Sequence, residues 1–243
     1  MFSLKDKTIL ITGASSGLGR QIAIDCAKMG ASTVITARNA ERLNDALSML
    51  EGKENKAIIA DLAKQEDIEK IAEEIPKLDG IVHCAGINKT MPCAYIKQED
   101  FSNIIKVNLE APIMLQKAVL KKKKLNAGGS VVFISSIASK HSLIGNSAYS
   151  ASKSGINSYA KILALELAPK KIRSNCILPG MMDTEFLEKI AISKEQFELD
   201  KSKYPLGRYG QPSDISPLAV YLLSDSSSWM TGSEIVIDGG RTL

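Results

Sequence analysis

The chain has 243 residues, of which 44% are hydrophobic and 24% are charged, and its formal net charge is +4. These proportions are typical of a compact globular protein, and the length suits one domain with a large core or two small ones. The excess of positive charge is too small to indicate a nucleic-acid partner, although it suits anionic small molecules.

The cysteine and N-terminal patterns bear on metals and on location. The four cysteines lack the paired spacing of a zinc site and only two histidines accompany them, so we expect buried reduced thiols and no bound metal. Charged residues follow the N-terminus before any apolar stretch could act as a secretion signal, and no apolar run is long enough to span a membrane. We therefore predict a cytoplasmic protein with no membrane partner.

Seven short runs rich in valine and isoleucine are predicted strands, several of them apolar at consecutive positions, as in strands buried on both faces. They are Thr8–Thr12, Thr33–Ala37, Ala57–Ala60, Gly80–Cys84, Ser130–Ser135, Arg173–Ile177 and Glu234–Ile237. Helical patterns lie between them at Arg20–Met29, Ala40–Leu50, Asp67–Ile75, Gln98–Lys124, Ala148–Ala168 and Asp214–Leu223. This alternation predicts an α/β fold, a doubly wound parallel sheet of about seven strands flanked by helices.

One segment, Met181–Gln211, interrupts the alternation of strands and helices. It is long, mixed in composition and lies between two predicted strands, which is typical of a functional loop, so we predict a substrate lid around residues 181–211. No linker-like composition and no internal repeat divides the chain. We therefore predict a single domain over residues 1–243.

A glycine-rich segment follows the first predicted strand and opens the first helix. Gly13, Gly17 and Gly19 are spaced G-x-x-x-G-x-G, and a tight turn that brings the backbone close to a pyrophosphate requires residues without side chains. The helix start adds free amides and a partial positive charge. Such glycines in isolation are as consistent with an ordinary turn, but the strand before and the helix after them favour a phosphate cradle.

Tyr149 and Lys153 lie four residues apart on the predicted helix Ala148–Ala168, and hence on one face of it. A phenol with a pKa of about 10 is a poor acid or base at neutral pH. We expect the neighbouring ammonium group, together with the positive charge of an oxidised dinucleotide cofactor, to favour the phenolate and so to lower the pKa of Tyr149. Such a pair is usually only helix surface, but together with the glycine-rich segment it predicts proton transfer in an enzyme that uses a dinucleotide.

The motif T-G-x-x-x-G-x-G near the N-terminus and Y-x-x-x-K in the second half together resemble the short-chain dehydrogenase/reductase family. The likeness covers almost the whole chain and is greatest to the bacterial 3-oxoacyl-acyl-carrier-protein reductases. It implies a Rossmann-type fold and an oxidoreductase that transfers hydride between a nicotinamide dinucleotide and a carbonyl or secondary alcohol.

The resemblance implies a catalytic set of Asn108, Ser136, Tyr149 and Lys153. Tyr149 would donate its proton to the carbonyl oxygen, and Lys153 would hydrogen-bond the nicotinamide ribose. Ser136 stands where the family places a serine that polarises the carbonyl, although Ser135 and Ser139 are rivals and a serine after a strand often only forms a turn. Asn108 would hold a helix kink that carries a water-linked proton relay to Lys153.

The resemblance also implies the residues that would hold the cofactor. They are Gly13, Ser15, Ser16, Gly17, Leu18, Gly19, Arg38, Asp61, Leu62, Ala85, Gly86, Tyr149, Lys153, Pro179, Gly180, Met182 and Thr184. NAD-dependent members carry an acidic residue at the end of the second strand, where this chain has Ala37 followed by Arg38. A guanidinium group without a neighbouring carboxylate suits a 2′-phosphate, so we predict NADP(H). Alternatively, Arg38 only solvates the start of the next helix.

Two further matches concern the third and fourth strands. Asp61 and Leu62 correspond to the family's adenine-contacting pair, although Asp61 could simply cap a turn. His83-Cys84-Ala85-Gly86 replaces the family's N-N-A-G, so the side-chain hydrogen bonds of the two asparagines are in doubt. Ala85 and Gly86 keep the small profile that lets a cofactor lie against the backbone, and we interpret His83 as an inert buried group.

The substrate and the assembly are the least determined features. The leading interpretation is an enzyme that acts on a small-molecule carbonyl, with a 3-oxoacyl thioester as the first candidate substrate. A sugar or polyol ketoreductase and a non-catalytic NADP-sensing protein are the alternatives. The resemblance implies a homotetramer or homodimer formed through the two long helices and the last strand. Lys121–Lys124 could bind an acidic carrier protein, but we favour a solvated helix end whose cations oppose the helix dipole.

Overall fold

The structure, a computed structural model, describes residues 2–52, 54–184 and 194–243. Seven strands form one sheet in the order β3-β2-β1-β4-β5-β6-β7, and every neighbouring pair is parallel. The strands are β1 (Thr8–Thr12), β2 (Ser32–Ala37), β3 (Lys56–Ile59), β4 (Leu78–His83), β5 (Leu125–Ile134), β6 (Arg173–Pro179) and β7 (Glu234–Ile237). The predicted single Rossmann-type domain, a doubly wound seven-stranded sheet, is confirmed.

Eight α-helices lie in the described part of the chain. They are α1 (Gly17–Lys28), α2 (Ala40–Ser48), α3 (Gln65–Glu74), α4 (Gln98–Ile105), α5 (Ala111–Lys121), α6 (Ser147–Leu167), α7 (Lys194–Lys201) and α8 (Pro212–Leu223). None of these described helices is long and apolar enough to cross a membrane.

The consecutive apolar residues of β1 explain how both faces of the sheet are covered. Ile9 and Ile11 are fully buried in the core that α1 and α8 share, whereas Leu10 between them is fully buried in the core of α3 and α5. Successive side chains of a strand point to opposite faces, so a strand packed on both sides needs no polar alternation. Burial of each such side chain stabilises the fold by about 1.5–3 kcal/mol.

Several predicted boundaries differ from the structure. The predicted helix Gln98–Lys124 is divided by a five-residue π-helical turn, Lys106–Glu110, into α4 and α5. Strand β5 begins at Leu125, five residues before the predicted start, and its pairing with β4 shifts register between Leu78 and Gly80. The predicted lid contains α7, and its residues 185–193 lie outside the described residues.

The cysteine prediction is only partly correct. All four cysteines are free; Cys26 and Cys176 are buried, but Cys84 is half-buried and Cys93 is exposed. Cys93 lies in a short 3₁₀ turn, Cys93–Tyr95, that contributes no buried residue to the core. Cysteine is usually buried in folded proteins, but Cys93 is exposed because it lies in a surface turn.

Candidate active site

The predicted site residues meet at the carboxyl ends of the central strands. Gly13 follows β1, Ala85 follows β4, Ser136 follows β5 and Gly180 follows β6. The strand order turns back between β1 and β4, and open α/β sheets bind ligands in the crevice at such a switch point.

Gly13 occupies a position that no other residue could fill without displacing the backbone. Its φ is +68°, and a Cβ built on it would lie 2.8 Å from Ala85 Cα and 2.9 Å from Ala85 N. A Cβ on Gly19 would likewise collide with the carbonyl oxygen of Gly13. The backbone of the Gly13 turn therefore packs directly against the backbone of Ala85 at the switch point. Because the glycines have no side chains, a ligand can approach the backbone of this turn closely.

The start of α1 is suited to an anion. The helix begins at Gly17, three residues before the predicted start, and the side chain of Ser16 before it makes no capping hydrogen bond. No acidic residue lies in the first turn. The partial positive charge of the helix start is therefore not balanced by a described side chain of this turn, and the first amides can bind an anion. Thr184 lies over this turn, its methyl group 3.7 Å from the position of a Cβ on Gly17. The cradle predicted over Gly13–Gly19 thus fits the pyrophosphate of a dinucleotide.

Arg38 follows β2 and is exposed, and it forms no ion pair with a described residue. The start of α2 is capped instead by Asn39, whose side chain accepts a hydrogen bond of 2.9 Å from the backbone of Arg42. The side-chain cap of this helix is therefore supplied by Asn39 and not by Arg38. Its guanidinium group remains available to an anion beside β2.

Asp61 is engaged in the turn after β3. Its carboxylate accepts a hydrogen bond of 3.0 Å from Ala63 N, and its own N–H donates to Asp67 at 2.7 Å. This is the turn-capping arrangement considered as an alternative for this residue. Leu62 is half-buried against the core of α3 and α5. Contacts within the protein therefore account for the positions of both side chains.

Thr12 is a residue of the site that sequence reasoning quoted in the motif but gave no role. Its hydroxyl oxygen accepts hydrogen bonds from Cys84 N at 3.0 Å and Ala85 N at 3.2 Å. These bonds tie the end of β1 to the turn after β4 and hold Ala85 against Gly13. The signal was the threonine immediately before the first glycine of the motif.

His83 plays no part in this surface. It is buried, stacks on Phe133 with ring centroids 4.7 Å apart and hydrogen-bonds Gln116 at 3.1 Å. Burial lowers the pKa of His83 to about 4, against a small opposing effect of the Gln116 hydrogen bond. The interpretation of His83 as an inert buried group agrees with the structure.

Ser136, Tyr149 and Lys153 come together beside this crevice. The hydroxyl group of Ser136 lies close enough to the phenol of Tyr149 to act on its pKa, which it lowers against the larger effect of burial. The buried ammonium group of Lys153 lies 5.7 Å from the centre of the Tyr149 ring and donates to the carbonyl oxygen of Ile134 at 2.8 Å. Helix α6 supplies Tyr149 and Lys153 on one face, as predicted, and the end of β5 supplies Ser136.

The structure distinguishes Ser136 from its two rivals. Ser135 is buried and its hydroxyl donates to the backbone oxygen of Lys153 at 3.3 Å, while the hydroxyl of Ser139 donates to the backbone oxygen of Ser136 at 2.7 Å. Both rivals are therefore committed to backbone acceptors. Ser136 accepts a hydrogen bond from Ala138 N at 3.1 Å and faces Tyr149.

The predicted lowering of the Tyr149 pKa is wrong for the protein itself. Burial raises the pKa of Tyr149; the hydrogen bond from Ser136 only partly opposes this rise, and the nearby thiol of Cys84 adds to it. Burial also lowers the pKa of Lys153 to about 8. At neutral pH the site therefore holds a neutral phenol beside an ammonium group, an arrangement suited to giving a proton rather than taking one.

Asn108 lies in the π-helical turn, where a kink was predicted. Its amide is buried and pairs with both backbone groups of Ile87, accepting from N and donating to O at 2.8 Å each. It also donates to Ser152 at 3.1 Å. A Cβ on Gly86 would lie 3.4 Å from the Asn108 amide oxygen and 3.5 Å from Lys153 Nζ, so Asn108 and Lys153 flank the same glycine.

The loop after β6 is fixed by contacts with Gly210. Met182 pairs with Gly210 in an isolated bridge, and the N–H of Asp183 donates to its carbonyl oxygen at 2.7 Å. A Cβ on Gly180 would lie 2.9 Å from Asp238 Cα, so Pro179 and Gly180 run close to the end of β7. A cavity of about 210 Å³ borders this loop, but Ser136, Tyr149 and Lys153 do not line it.

A family model described as enoyl-(acyl carrier protein) reductase matches residues 13–242. The 3-oxoacyl-acyl-carrier-protein reductase FabG of Rickettsia felis is 36% identical over 100% of both chains. A tropinone reductase homolog of Arabidopsis thaliana is 34% identical, covering 100% of this chain and 94% of its own. The crystal structure of a dehydrogenase/reductase from Sinorhizobium meliloti superposes with a TM-score of 0.92 at 33% identity, covering 99% of this chain and 97% of that one.

These similarities extend over the whole length of the chain, including the glycine-rich turn and helix α6, whereas the names of the two curated relatives refer to different substrates. The likeness is therefore to a common fold and family and not to one substrate. The chain belongs to the short-chain dehydrogenase/reductase family of oxidoreductases.

Proposed function

We propose that this protein is an NADP(H)-dependent carbonyl reductase, with a 3-oxoacyl thioester as its substrate. The observation that carries the proposal is the convergence of Ser136, Tyr149 and Lys153 beside the Gly13–Gly19 cradle. The similarity to the reductase of Rickettsia felis supports the substrate class.

The cradle and its surroundings would hold the cofactor, which supplies a hydride when bound. The amides at the start of α1 would bind the pyrophosphate, and Ala85 and Gly86 would let the dinucleotide lie against the backbone. The exposed guanidinium group of Arg38 would bind the 2′-phosphate, which selects NADP(H) over NAD(H). Asp61, Leu62, Met182 and Thr184 would complete the contacts at the two ends of the cofactor.

Ser136 and Tyr149 would act on the carbonyl oxygen together. Their hydroxyl groups would each donate a hydrogen bond to it, so that negative charge developing on oxygen is stabilised; one such donor contributes about 10²–10³ in rate. The phenol of Tyr149 would then transfer its proton to this oxygen, and its raised pKa keeps that proton in place at neutral pH.

Lys153 and Asn108 would support this transfer. The ammonium group of Lys153 would stabilise the phenolate left on Tyr149 and hydrogen-bond the cofactor ribose. Asn108 holds Ile87 beside Gly86 and Lys153, and the turn it forms would carry the water-linked route by which Tyr149 regains a proton.

We also propose that the protein is a cytoplasmic homotetramer and that residues 181–211 form its substrate lid. Apolar side chains exposed on α6 and around β7, among them Leu165 and Trp229, support association. Phe197 of α7 packs on Tyr204 and Tyr209, which anchors the second half of the lid segment.

The proposal is tested by cofactor oxidation with acetoacetyl thioester, comparing NADPH with NADH. We expect faster oxidation of NADPH. Tyr149→Phe should lower kcat about 10²–10⁴-fold, the usual contribution of a positioned acid, and leave NADPH binding unchanged. Tyr221→Phe is the matched control, because that ring lies in α8 against Phe2, and it should retain full activity.

Three results would contradict parts of the proposal. Turnover that survives Tyr149→Phe would exclude its role as the acid. A preference for NADH would exclude the role given to Arg38. Tight NADPH binding without oxidation would leave the fold and cradle in place and direct the search to sugar or polyol ketones. If those are also inert, an NADP-sensing protein remains.

A further inference from the structure

Glu234, the first residue of β7, holds an unusual position for a carboxylate near a sheet edge. Its side chain is only 9% exposed and bridges two lysines, with Lys140 Nζ 2.8 Å from one oxygen and Lys161 Nζ in contact with the other. Burial alone would raise the pKa of Glu234, but the hydrogen bonds from Lys140 and Lys161 outweigh this effect and lower it. Glu234 is therefore an ionised acceptor held by two cations.

A chain of hydrogen bonds leads from this carboxylate to the segment that carries Ser136. The amide nitrogen of Asn157, a buried residue of α6, donates to Glu234 at 3.3 Å and to the hydroxyl of Ser139 at 3.0 Å. That hydroxyl donates in turn to the backbone oxygen of Ser136 at 2.7 Å. Lys140 follows Ser139 in the chain. Glu234 therefore holds the turn after Ser136 at two adjacent residues: at Lys140 directly and at Ser139 through Asn157.

These contacts differ from an ordinary surface ion pair, which contributes little to stability. The carboxylate is largely buried and accepts from three donors, and hydrogen bonds to an ionised acceptor are roughly twice as strong as neutral ones. Without its charge, Lys140 and Lys161 would lose their common counter-ion, and the bond that Asn157 donates to Glu234 would weaken. The turn Ile137–Ser139 would keep its own backbone hydrogen bonds and the bond from Ser154, but it would be held less firmly on the side of Glu234.

We propose that Glu234 is a positioning residue for the reaction: through Asn157, Ser139 and Lys140 it fixes Ser136 against Tyr149. The inference rests on the proposed function, because Ser136 acts on substrate only there. A displacement of about 1 Å in a reacting group can cost up to 10²-fold in rate. The fixed turn therefore bears on kcat and not on cofactor binding, since the cradle lies on β1 and α1.

The test substitutes Glu234→Gln, which keeps the shape and one acceptor but removes the charge. We expect kcat for acetoacetyl thioester to fall about tenfold, with the KM for NADPH unchanged within twofold. Amide hydrogen exchange of residues 137–141 should become faster. Glu73→Gln is the matched control, because Glu73 pairs with Lys122 on an exposed surface; it should change neither quantity.

A second variant tests the route. Ser139→Ala removes the hydroxyl between Asn157 and Ser136 and should lower kcat in the same direction. If both act through one network, the double variant should lose clearly less than the product of the two single effects.

A lower unfolding temperature with kcat and exchange at 137–141 unchanged in Glu234→Gln would overturn the proposal, since the network would then be only structural. If the wild-type protein reduces no carbonyl tested, the proposed function fails separately. The exchange measurement then decides: faster exchange supports Glu234 as the anchor of the turn, and unchanged exchange overturns it.

Discussion

At the scale of single residues, the ionisation of Lys153 matters most for the proposed site. Burial lowers its pKa from 10.5 to about 8, so the ammonium group is present below that pH and is lost as the pH rises through it. Because the pKa of Tyr149 is raised and not lowered, the phenol keeps its proton over the same range. Any loss of activity near pH 8 would therefore report on Lys153.

We accordingly predict that kcat for carbonyl reduction is constant around neutral pH and falls as the pH rises through about 8. The measurement is kcat with saturating NADPH and ketone across this range, with circular dichroism to verify that the protein stays folded. A rate that stays constant up to pH ~10, near the ordinary pKa of lysine, would contradict the role given to the ammonium group.

The sequence motifs were sufficient to predict which residues form the site. They were not sufficient to predict how deeply each side chain is buried or which groups surround it. The spacing predicted that Tyr149 and Lys153 share a helix face, but the direction of the Tyr149 pKa depends on burial, which no local pattern records. Glu234 and Asn157 escaped notice for a similar reason. They are 77 positions apart in the chain, and nothing in either local segment indicates the other.

The element that most affects the site is the π-helical turn between α4 and α5. Hydrophobic periodicity predicted one continuous helix through this turn. A single π-helical turn displaces the repeat of apolar residues only slightly, and this repeat is itself not strictly regular. The local signals were Asn108, a poor helix former inside a long helix, and Pro112, whose ring disturbs the helical turn before it. The Asn108 side chain pairs with the partly buried backbone groups of Ile87, so the π-helical turn and the loop after β4 hold each other in place.

We predict that Asn108→Leu destabilises the protein and lowers its activity. The substitution leaves the partly buried backbone N–H and C=O of Ile87 without their partner. An unpaired group costs about 1–3 kcal/mol when it is fully buried, so each of these two costs less than that. The measurement is the free energy of unfolding in denaturant together with kcat. Asn103→Leu, on the exposed face of α4, is the control and should change both by little.

Equal effects of the two asparagine substitutions would contradict the special role of Asn108.

The lysine run Lys121–Lys124 at the end of α5 is only in part the solvated helix end that we favoured from the sequence. Lys122 pairs with Glu73 at 3.1 Å, and Lys124 donates to the carbonyl oxygen of Ile75 at 2.6 Å. Both lysines fasten α5 to the end of α3, so the run is not simply a free patch for an acidic partner.

At the scale of the whole molecule, the architecture followed from the alternation of strands and helices, because a parallel sheet needs crossovers and buries both faces. The apolar residues that remain on the surface did not follow, since apolar residues on the outer face of a long helix resemble core residues in the sequence. Ile162 and Leu165 of α6 are such residues: they are 53% and 73% exposed.

We predict that sedimentation shows a homotetramer and that Leu165→Asp shifts it toward smaller species. A charge buried without a partner in an apolar interface is strongly unfavourable. Met49→Asp, at an exposed position after α2, is the control and should leave the assembly intact. A monomeric wild-type protein, or dissociation by both substitutions, would contradict an interface on α6.

The bond between Thr12 and the turn after β4 has a consequence for the order in which the molecule matures. Thr12 and Val82 are 70 positions apart, so the Gly13 turn reaches its final form only after β4 has been synthesised and paired. Ser136 and α6 come later still. Helix α1, whose start forms the other half of the cradle, packs on α8, which is synthesised after Ser136 and α6, and parallel pairings of this separation form slowly. The phosphate cradle, although it is encoded first, thus reaches its packed form only after the groups that would act on a carbonyl have been synthesised.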